Sequence, residues 1–167
     1  MPNIINPGTF EFKTDSTALK DFGLKTLTPR LGELVGSKHF LFDIRQLDPD
    51  MFSFPYHYHM NAEELIMIIS GSFTMRYKEG FRIVNQGELI FFEIGESGVH
   101  QFYNHADIPC VYLDFRTTVG LDVSKYPDSD KILILPFWEF YEKNPKVEYN
   151  TGEEKVRETW EKLKNSR

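Results

Sequence analysis

Cysteine is almost absent from this sequence: Cys110 is the single one among 167 residues. One cysteine cannot form an internal disulfide, and it cannot supply the several thiolates of a cysteine-based zinc site. Positive charge is also scarce, since 19 Lys and Arg are outnumbered by 25 Asp and Glu and the formal net charge is −6. Because sequence-independent binding of nucleic-acid phosphates needs clustered positive charge, we expect no nucleic-acid partner.

Long apolar runs and targeting signals are also missing. No stretch reaches the roughly 18 apolar residues that a membrane-spanning helix requires, so we expect no membrane span. Residues 1–8 have neither the basic start nor the apolar core of a signal peptide. These absences predict a cytoplasmic protein.

Aromatic residues, in contrast, are abundant, with 15 Phe and 8 Tyr, and such side chains favour strands. From residue 39 to 116 short apolar runs alternate with turn residues, and no stretch has a helical period. One of the predicted strands runs from Phe52 to His59. Short, closely spaced strands of this kind predict an all-β sandwich or barrel.

We predict three segments along the chain. Residues 1–38 form an N-terminal extension that packs on the barrel, residues 39–120 form the barrel, and residues 121–167 form a C-terminal extension with a strand over residues 132–135 and a short helix. The helix is indicated by a capping-box spacing from Thr151 to Glu154 and by one apolar stripe at Val156, Trp160 and Leu163. Between the strand and the helix lies an aromatic cluster, interpreted as a cover over one end or flank of the barrel rather than a ligand-stacking platform: Phe137, Trp138, Phe140 and Tyr141.

The candidate chemistry centres on His57 and His59, which lie two residues apart in an extended run. Side chains at i and i+2 of a strand project to the same side, so both imidazoles can reach one point. Glu64 heads the next apolar run, where a carboxylate is costly to bury unless a cation compensates it, and His100 opens a later strand. Three imidazoles and one carboxylate suit Fe, Mn, Ni, Cu or Zn and are too nitrogen-rich for Mg²⁺ or Ca²⁺. We predict these four residues as ligands of a divalent transition metal.

The spacing of these residues resembles the two motifs of the cupin superfamily. The first motif is matched by His57, His59, Glu64 and Gly71, and the second by Gly87, Gly95, His100 and Asn104. Glu63 fits a variant with a shorter gap, but seven residues would then precede Gly71, so Glu64 is preferred. Three positions depart from the motifs: the first motif lacks its leading glycine, Glu93 replaces a usual proline, and four residues rather than two separate Gly95 from His100.

The resemblance covers residues 39–116 and implies a double-stranded β-helix, the jelly-roll barrel of cupins. A fainter likeness, carried by residues 126–129, is to a little-characterised group of single-domain cupins. Single-domain cupins usually dimerise, so we expect a homodimer. The N-terminal segment and the aromatic cluster are expected to contribute to the dimer interface.

Other polar residues receive structural interpretations. Glu63 is expected at the rim, His39 and His105 at the surface, and Asn104 as a cap of the turn after its strand. Tyr56 and Tyr58 alternate with the predicted ligands and should point away from them.

Alternation places Ile66, Ile68 and Phe102 on the ligand face, which predicts an apolar pocket, lined further by either Phe42 or the Leu41 and Asp43 pair. We identify no general base, phosphate-binding loop or arginine clamp on that face, so the catalytic residues stay unknown. Four ligands leave about two open positions on a six-coordinate metal. The predicted function is therefore binding of, or action on, a small oxygen-bearing molecule, with a dioxygenase-like oxidoreductase as the enzymatic form. The alternatives are a non-catalytic ligand-binding or sensing cupin and a sugar isomerase-like cupin.

Overall fold

The computed structural model describes residues 2–149, 151–153, 155–158 and 160. It confirms the all-β prediction, because strands dominate and the helices are single turns. The strands are β1 Glu11–Thr14, β2 Leu24–Thr28, β3 Phe40–Leu47, β4 Tyr58–His59, β5 Glu64–Ser70, β6 Ser72–Tyr77, β7 Gly80–Asn85, β8 Leu89–Phe92, β9 His100–Tyr103, β10 Cys110–Thr117, β11 Asp122–Tyr126, β12 Lys131–Leu135 and β13 Glu139–Glu142. Up to residue 142 the helical elements are α1 Leu31–Leu34 and two 3-10 turns, Pro7–Thr9 and Glu96–Gly98. No helix in these described ranges is long and apolar enough to cross a membrane.

The strands form three antiparallel sheets. The largest has six strands in the order β1-β2-β3-β10-β5-β8, the second the order β13-β12-β11-β4, and the third the order β7-β6-β9. The first two strands extend the large sheet beyond β3, and the second sheet joins the C-terminal strands to β4. Strands from all three predicted segments share sheets, so the sheets do not separate these segments. The division at residues 38 and 120 stays a prediction.

The core lies between the sheets and is built from the alternating inward positions of their strands. Phe73 and Phe102 are fully buried, and their rings stack with centroids 4.2 Å apart. The buried cluster contains ten residues, Leu47, Ile66, Ile68, Phe73, Met75, Val84, Phe92, Phe102, Cys110 and Tyr112. A filled apolar interior of this kind holds the ends of β5 and β9, and with them Glu64 and His100, in fixed positions.

A tight turn joins β5 to β6 at Gly71, the glycine that closes the first motif. Its φ of +78° is one that side-chain-bearing residues rarely adopt. A Cβ at this position would also lie 2.9 Å from the carbonyl oxygen of Pro109. The turn therefore requires glycine for two independent reasons.

The predicted strand from Phe52 to His59 is wrong in its length. Only Tyr58 and His59 form a strand, while Phe52 and His57 make isolated bridges. Pro55 lies in the middle of this run and has no N–H to donate to a neighbouring strand. The chain is extended here, but its ladder is broken.

The C-terminal part contains the strand that the sequence predicts and one further strand that it does not predict. The strand predicted over residues 132–135 is β12, which pairs with β11 on one side. On its other side lies β13, which contains Phe140 and Tyr141 of the aromatic cluster. Of the helix predicted after Thr151, the described residues 156–158 and 160 are helical and exposed, while Glu154 and Leu163 lie outside the described residues.

Candidate metal centre

Three histidines and one glutamate meet inside the barrel where β4, β5 and β9 come together. The Nε2 atoms of His59 and His100 lie 3.5 and 3.3 Å from the two carboxylate oxygens of Glu64. The ring of His57 has its centroid 5.1 Å from the rings of both other histidines. All four side chains are buried, with relative exposures between 1% and 9%. The structure thus places the four predicted ligands around one point.

Candidate ligand atoms of His57, His59 and Glu64 lie within 4.8 Å of one another, so these three residues could hold a metal ion. His100 adjoins the trio through its contact with Glu64. Its inclusion as the fourth ligand stays a prediction.

The backbone around the site explains why these side chains converge. His57 and His100 form a two-way bridge, in which each backbone N–H donates to the carbonyl of the other residue at 3.2 and 3.0 Å. His59 lies on β4, whose partner β11 closes the other side of the site. Glu64 is the first residue of β5 and is paired across the sheet with Arg116 on β10.

Each imidazole has a hydrogen-bond partner at its Nδ1 atom. The Nδ1 of His57 and that of His100 each lie 2.9 Å from a backbone carbonyl oxygen, of Pro55 and Gly98 respectively. The Nδ1 of His59 contacts a carboxylate oxygen of Asp122. With their Nδ1 protons donated to these acceptors, neutral His57 and His100 present Nε2 lone pairs, the tautomer a metal ligand needs, and a bound metal would displace the second proton of His59.

The electrostatics of the site favour neutral histidines beside an ionised carboxylate. Burial lowers the pKa of His57 to about 3, and burial also lowers the pKa of His100. Burial would raise the pKa of Glu64, but its hydrogen bond with His59 and the nearby histidine charges hold that pKa well below its usual range. His59 differs, because the carboxylates of Asp122 and Glu64 outweigh its burial and raise its pKa to about 9.

This donor set fits a divalent transition metal. Two of the imidazoles are held neutral, the glutamate is anionic, and all three Nδ1 atoms are engaged away from the site. A buried carboxylate at the head of an apolar strand also needs a positive partner. A metal held by His57, His59, Glu64 and His100 would supply Lewis acidity toward an oxygen-bearing ligand.

Asp122 was not identified from the sequence, yet it fixes the orientation of His59. One of its oxygens contacts the His59 Nδ1, and the other accepts the N–H groups of Met60 and Asn61 at 3.0 and 2.8 Å. The two residues are 63 positions apart and meet only because β11 pairs with β4. Only that pairing, which local patterns do not reveal, could have indicated the contact.

Replacing Asp122 with asparagine should weaken metal binding about 10- to 100-fold. The amide can keep the backbone contacts through its oxygen, but its NH₂ would then oppose the Nδ1 proton of His59 and favour the tautomer with a protonated Nε2. Metal affinity measured by competition with a chromophoric chelator tests this expectation. Asp128→Asn is the matched control, because Asp128 is exposed and pairs with Arg76; equal affinities for the two variants would contradict the role of Asp122.

A cavity of about 490 Å³ opens in front of the four residues and differs from the predicted apolar pocket. Apolar lining is present at Leu41 and Phe54, with Leu41 rather than Phe42 facing inward. The sequence indicated no arginine clamp on the ligand face, and this prediction is wrong. Arg116 lines the cavity, and its Nη1 lies 3.4 Å from the Nε2 of His59. The other cationic residues lining this cavity are Arg30, Arg45 and Lys131.

Aromatic side chains frame both the ligands and the cavity. Phe92 stacks on His100 with ring centroids 3.7 Å apart, and Tyr126 stacks on His57 at 5.5 Å. Within the aromatic cluster, Trp138 and Phe140 line the cavity while remaining more than half exposed. These two rings therefore lie at the mouth of the site, a position that neither of the two interpretations from the sequence specified.

The remaining polar residues follow their structural interpretations. Glu63, His39 and His105 are exposed. Asn104 caps its turn by donating to the carbonyls of Leu47 and Ile108 and accepting the N–H of Ala106. Tyr56 lies under the guanidinium of Arg76, away from the ligands, at 3.7 Å from its ring centroid.

Comparison with known proteins supports the fold. The family model described as the cupin domain matches residues 44–116. No curated protein matches the chain in sequence.

Three solved structures are similar to the chain. A sugar phosphate isomerase of the cupin superfamily from Silicibacter pomeroyi DSS-3 is 22% identical with a TM-score of 0.74, covering 89% of this chain and 98% of that one. A structure described as a putative sugar phosphate isomerase, from Acidithiobacillus ferrooxidans, is 24% identical with a TM-score of 0.66, covering 74% of this chain and 81% of that one. A predicted oxalate decarboxylase from Thermotoga maritima is 15% identical with a TM-score of 0.57, covering 70% of this chain and 100% of that one.

At these identities the likeness shows the fold, a double-stranded β-helix, and not the reaction. The family match spans β4, β5 and β9, which carry His59, Glu64 and His100. Residues 44–116 therefore match the cupin domain, within a chain that has the double-stranded β-helix fold.

Proposed function

We propose that this protein binds a divalent transition metal through His57, His59, Glu64 and His100 and uses it to bind or transform a small oxygen-bearing organic molecule. The observation that carries the proposal is the orientation of the imidazoles: each of the three has its Nδ1 engaged by an acceptor on the side away from Glu64. Structural packing of histidines does not require all three rings to be fixed in the tautomer of a ligand. The cavity of about 490 Å³ is of the size that takes small molecules.

The first enzymatic form of this proposal is a dioxygenase-like oxidoreductase. Four protein ligands would leave about two positions for a bidentate substrate, or for a substrate and dioxygen. The side chains that line the cavity would then orient the substrate and exclude water. A non-catalytic binding or sensing role needs the same metal and the same cavity, so only turnover separates these two roles.

A sugar isomerase-like activity is the second candidate, and one specific observation favours it. Two of the similar structures are described as sugar phosphate isomerases, and the cavity contains arginine and lysine side chains of the kind that bind phosphate. The sequence alone suggested that such side chains were missing from the ligand face. Because Arg116 lines the cavity, that argument against an isomerase-like activity no longer holds.

Metal analysis of protein purified without an affinity tag or chelating resin tests the proposal. We expect close to one transition-metal ion per chain, and protein that neither retains nor rebinds a metal would refute it. Oxygen uptake by the metal-loaded protein with diols, keto acids and thiols tests the dioxygenase-like form. If metal is present and no oxygen is consumed, that form is wrong and the binding role or the isomerase-like role stands.

The homodimer and the cytoplasmic location stay predictions. The outer face of the six-stranded sheet offers a further contact surface for a dimer. Met67, Leu89 and Phe91 are neighbours there on β5 and β8, and their side chains are 40 to 57% exposed. Apolar side chains grouped in this way are typical of contact surfaces.

A further inference from the structure

Positive charge in the cavity exceeds what its own carboxylates neutralise. Four cationic side chains line it together with three carboxylates, of Asp15, Glu64 and Asp114, and one of the cations, Arg45, forms an ion pair with Asp114. For Arg30, Arg116 and Lys131 no carboxylate oxygen lies within 4.0 Å among the residues that the structure describes. A partly buried cation without a partner carries a desolvation cost that a bound anion would offset.

Two of these cations come from different strands and lie at different distances from the proposed ligands. Arg116 on β10 lies opposite Glu64 and places its Nη1 3.4 Å from the Nε2 of His59. Lys131 on β12 holds its ammonium group 4.8 Å from the ring centroid of Tyr126, which in turn stacks on His57. Arg116 therefore lies directly beside His59, whereas Lys131 is connected to His57 only through the ring of Tyr126.

The surroundings of Arg116 and Lys131 compensate their charges only in part. Both side chains are only partly exposed, so solvent does not fully hydrate their charges. Lys131 lies over two aromatic rings, of Tyr126 and of Phe140 at 5.6 Å, which are weak partners compared with a carboxylate. Glu64 is the single carboxylate of the proposed ligand set, so a divalent metal would add to the positive excess.

We propose that the small molecule bound in this cavity is an organic oxyanion, whose phosphate or carboxylate group is held by Arg116 with Lys131 as the second contact. This inference rests on the proposed function, since it names the class of molecule that the metal site would take. Arg116 has the planar fork that matches two oxygens of such a group, whereas Lys131 provides a point charge beside the aromatic rings. The rings of Trp138 and Phe140 at the mouth would contact the less polar remainder of the molecule.

Calorimetric titration with inorganic phosphate and with malonate tests the inference, on metal-loaded and on metal-free protein. We expect one of these anions to bind, and Arg116→Gln to weaken that binding about 10- to 100-fold. Preference for phosphate would identify an organic phosphate as the ligand class, and preference for malonate an organic acid. Absence of binding by both anions to the metal-loaded wild-type protein would overturn the inference.

Two further variants keep the test independent of folding defects. Lys131→Gln, on a strand near the mouth, should also weaken anion binding, whereas Lys143→Gln should not, because Lys143 is paired with Asp130. Equal effects of the two lysine changes would mean that only the net charge matters and would overturn the assignment. Metal content is measured on the same samples: metal without anion binding refutes this inference alone, and protein without metal refutes the proposed function.

Discussion

Replacing His100 with alanine should strip the purified protein of its metal, and His57→Ala should do the same. Each change removes one of the three nitrogen donors of the proposed set, and His100→Ala also removes an imidazole that contacts Glu64. Disturbing only the hydrogen-bond partner of a ligand costs about 10- to 100-fold in affinity, so loss of a ligand should cost more than about 100-fold. Metal per chain after dialysis, measured by mass spectrometry, gives the result directly.

The control for these variants is His105→Ala, which removes a histidine from the surface. His105 is exposed, and its Nδ1 lies 3.0 Å from the hydroxyl of Thr74 rather than near the site. It should keep the metal content of the wild-type protein. Circular dichroism must show a folded barrel in all three variants, and full metal retention by either His57→Ala or His100→Ala would refute the ligand set.

The meeting of His57, His59 and Glu64 could be predicted because it depends on local spacing, whereas His100 joins them through its bridge to His57. His57 and His59 reach one point because the chain is extended there, and this geometry survives even though Pro55 interrupts the strand. Glu64 could be preferred to Glu63 because its spacing to Gly71 matches the first motif, and the structure has Glu64 buried and Glu63 exposed. Their convergence therefore follows from backbone geometry that the sequence specifies.

The direction of β10 could not be predicted in the same way. Its outward side chains include Leu113 and Phe115, whereas Asp114 and Arg116 point into the barrel. A prediction that places the apolar face of a strand in the core would have put Leu113 and Phe115 inside the barrel, which is wrong. Asp114 and Arg116 face inward because each contacts another buried polar side chain. Asp114 pairs with Arg45, and Arg116 lies beside His59.

Partners that are distant in sequence were the second kind of feature that escaped prediction. Lys131 and Tyr126 are brought to the cavity by the β11–β12 hairpin, whose position depends on β11 pairing with the two residues of β4. So short a pairing leaves little trace in the sequence. The candidate metal ligands were thus accessible to sequence reasoning, whereas the groups that would select the bound molecule were not.

The interior of this barrel also contains an ion pair whose loss should be costly. Arg45 on β3 contacts Asp114 on β10, and their side chains are only 13% and 9% exposed. Asp114→Leu would leave a buried guanidinium without its partner, and Arg45→Met would leave a buried carboxylate. Each single change should lower the free energy of unfolding by about 3–5 kcal/mol.

The double variant Arg45→Met with Asp114→Leu should lose much less than the sum of the two single losses, because neither buried charge is then left alone. Urea unfolding of the four proteins gives the interaction energy of the pair. The exposed pair Arg76 and Asp128 is the matched control, with side-chain exposures of 35% and 52%, and its coupling should be no more than about 1 kcal/mol. Additive losses at Arg45 and Asp114 would mean that the two charges do not depend on each other, and the polar wall of the cavity would then be held by packing rather than by charge.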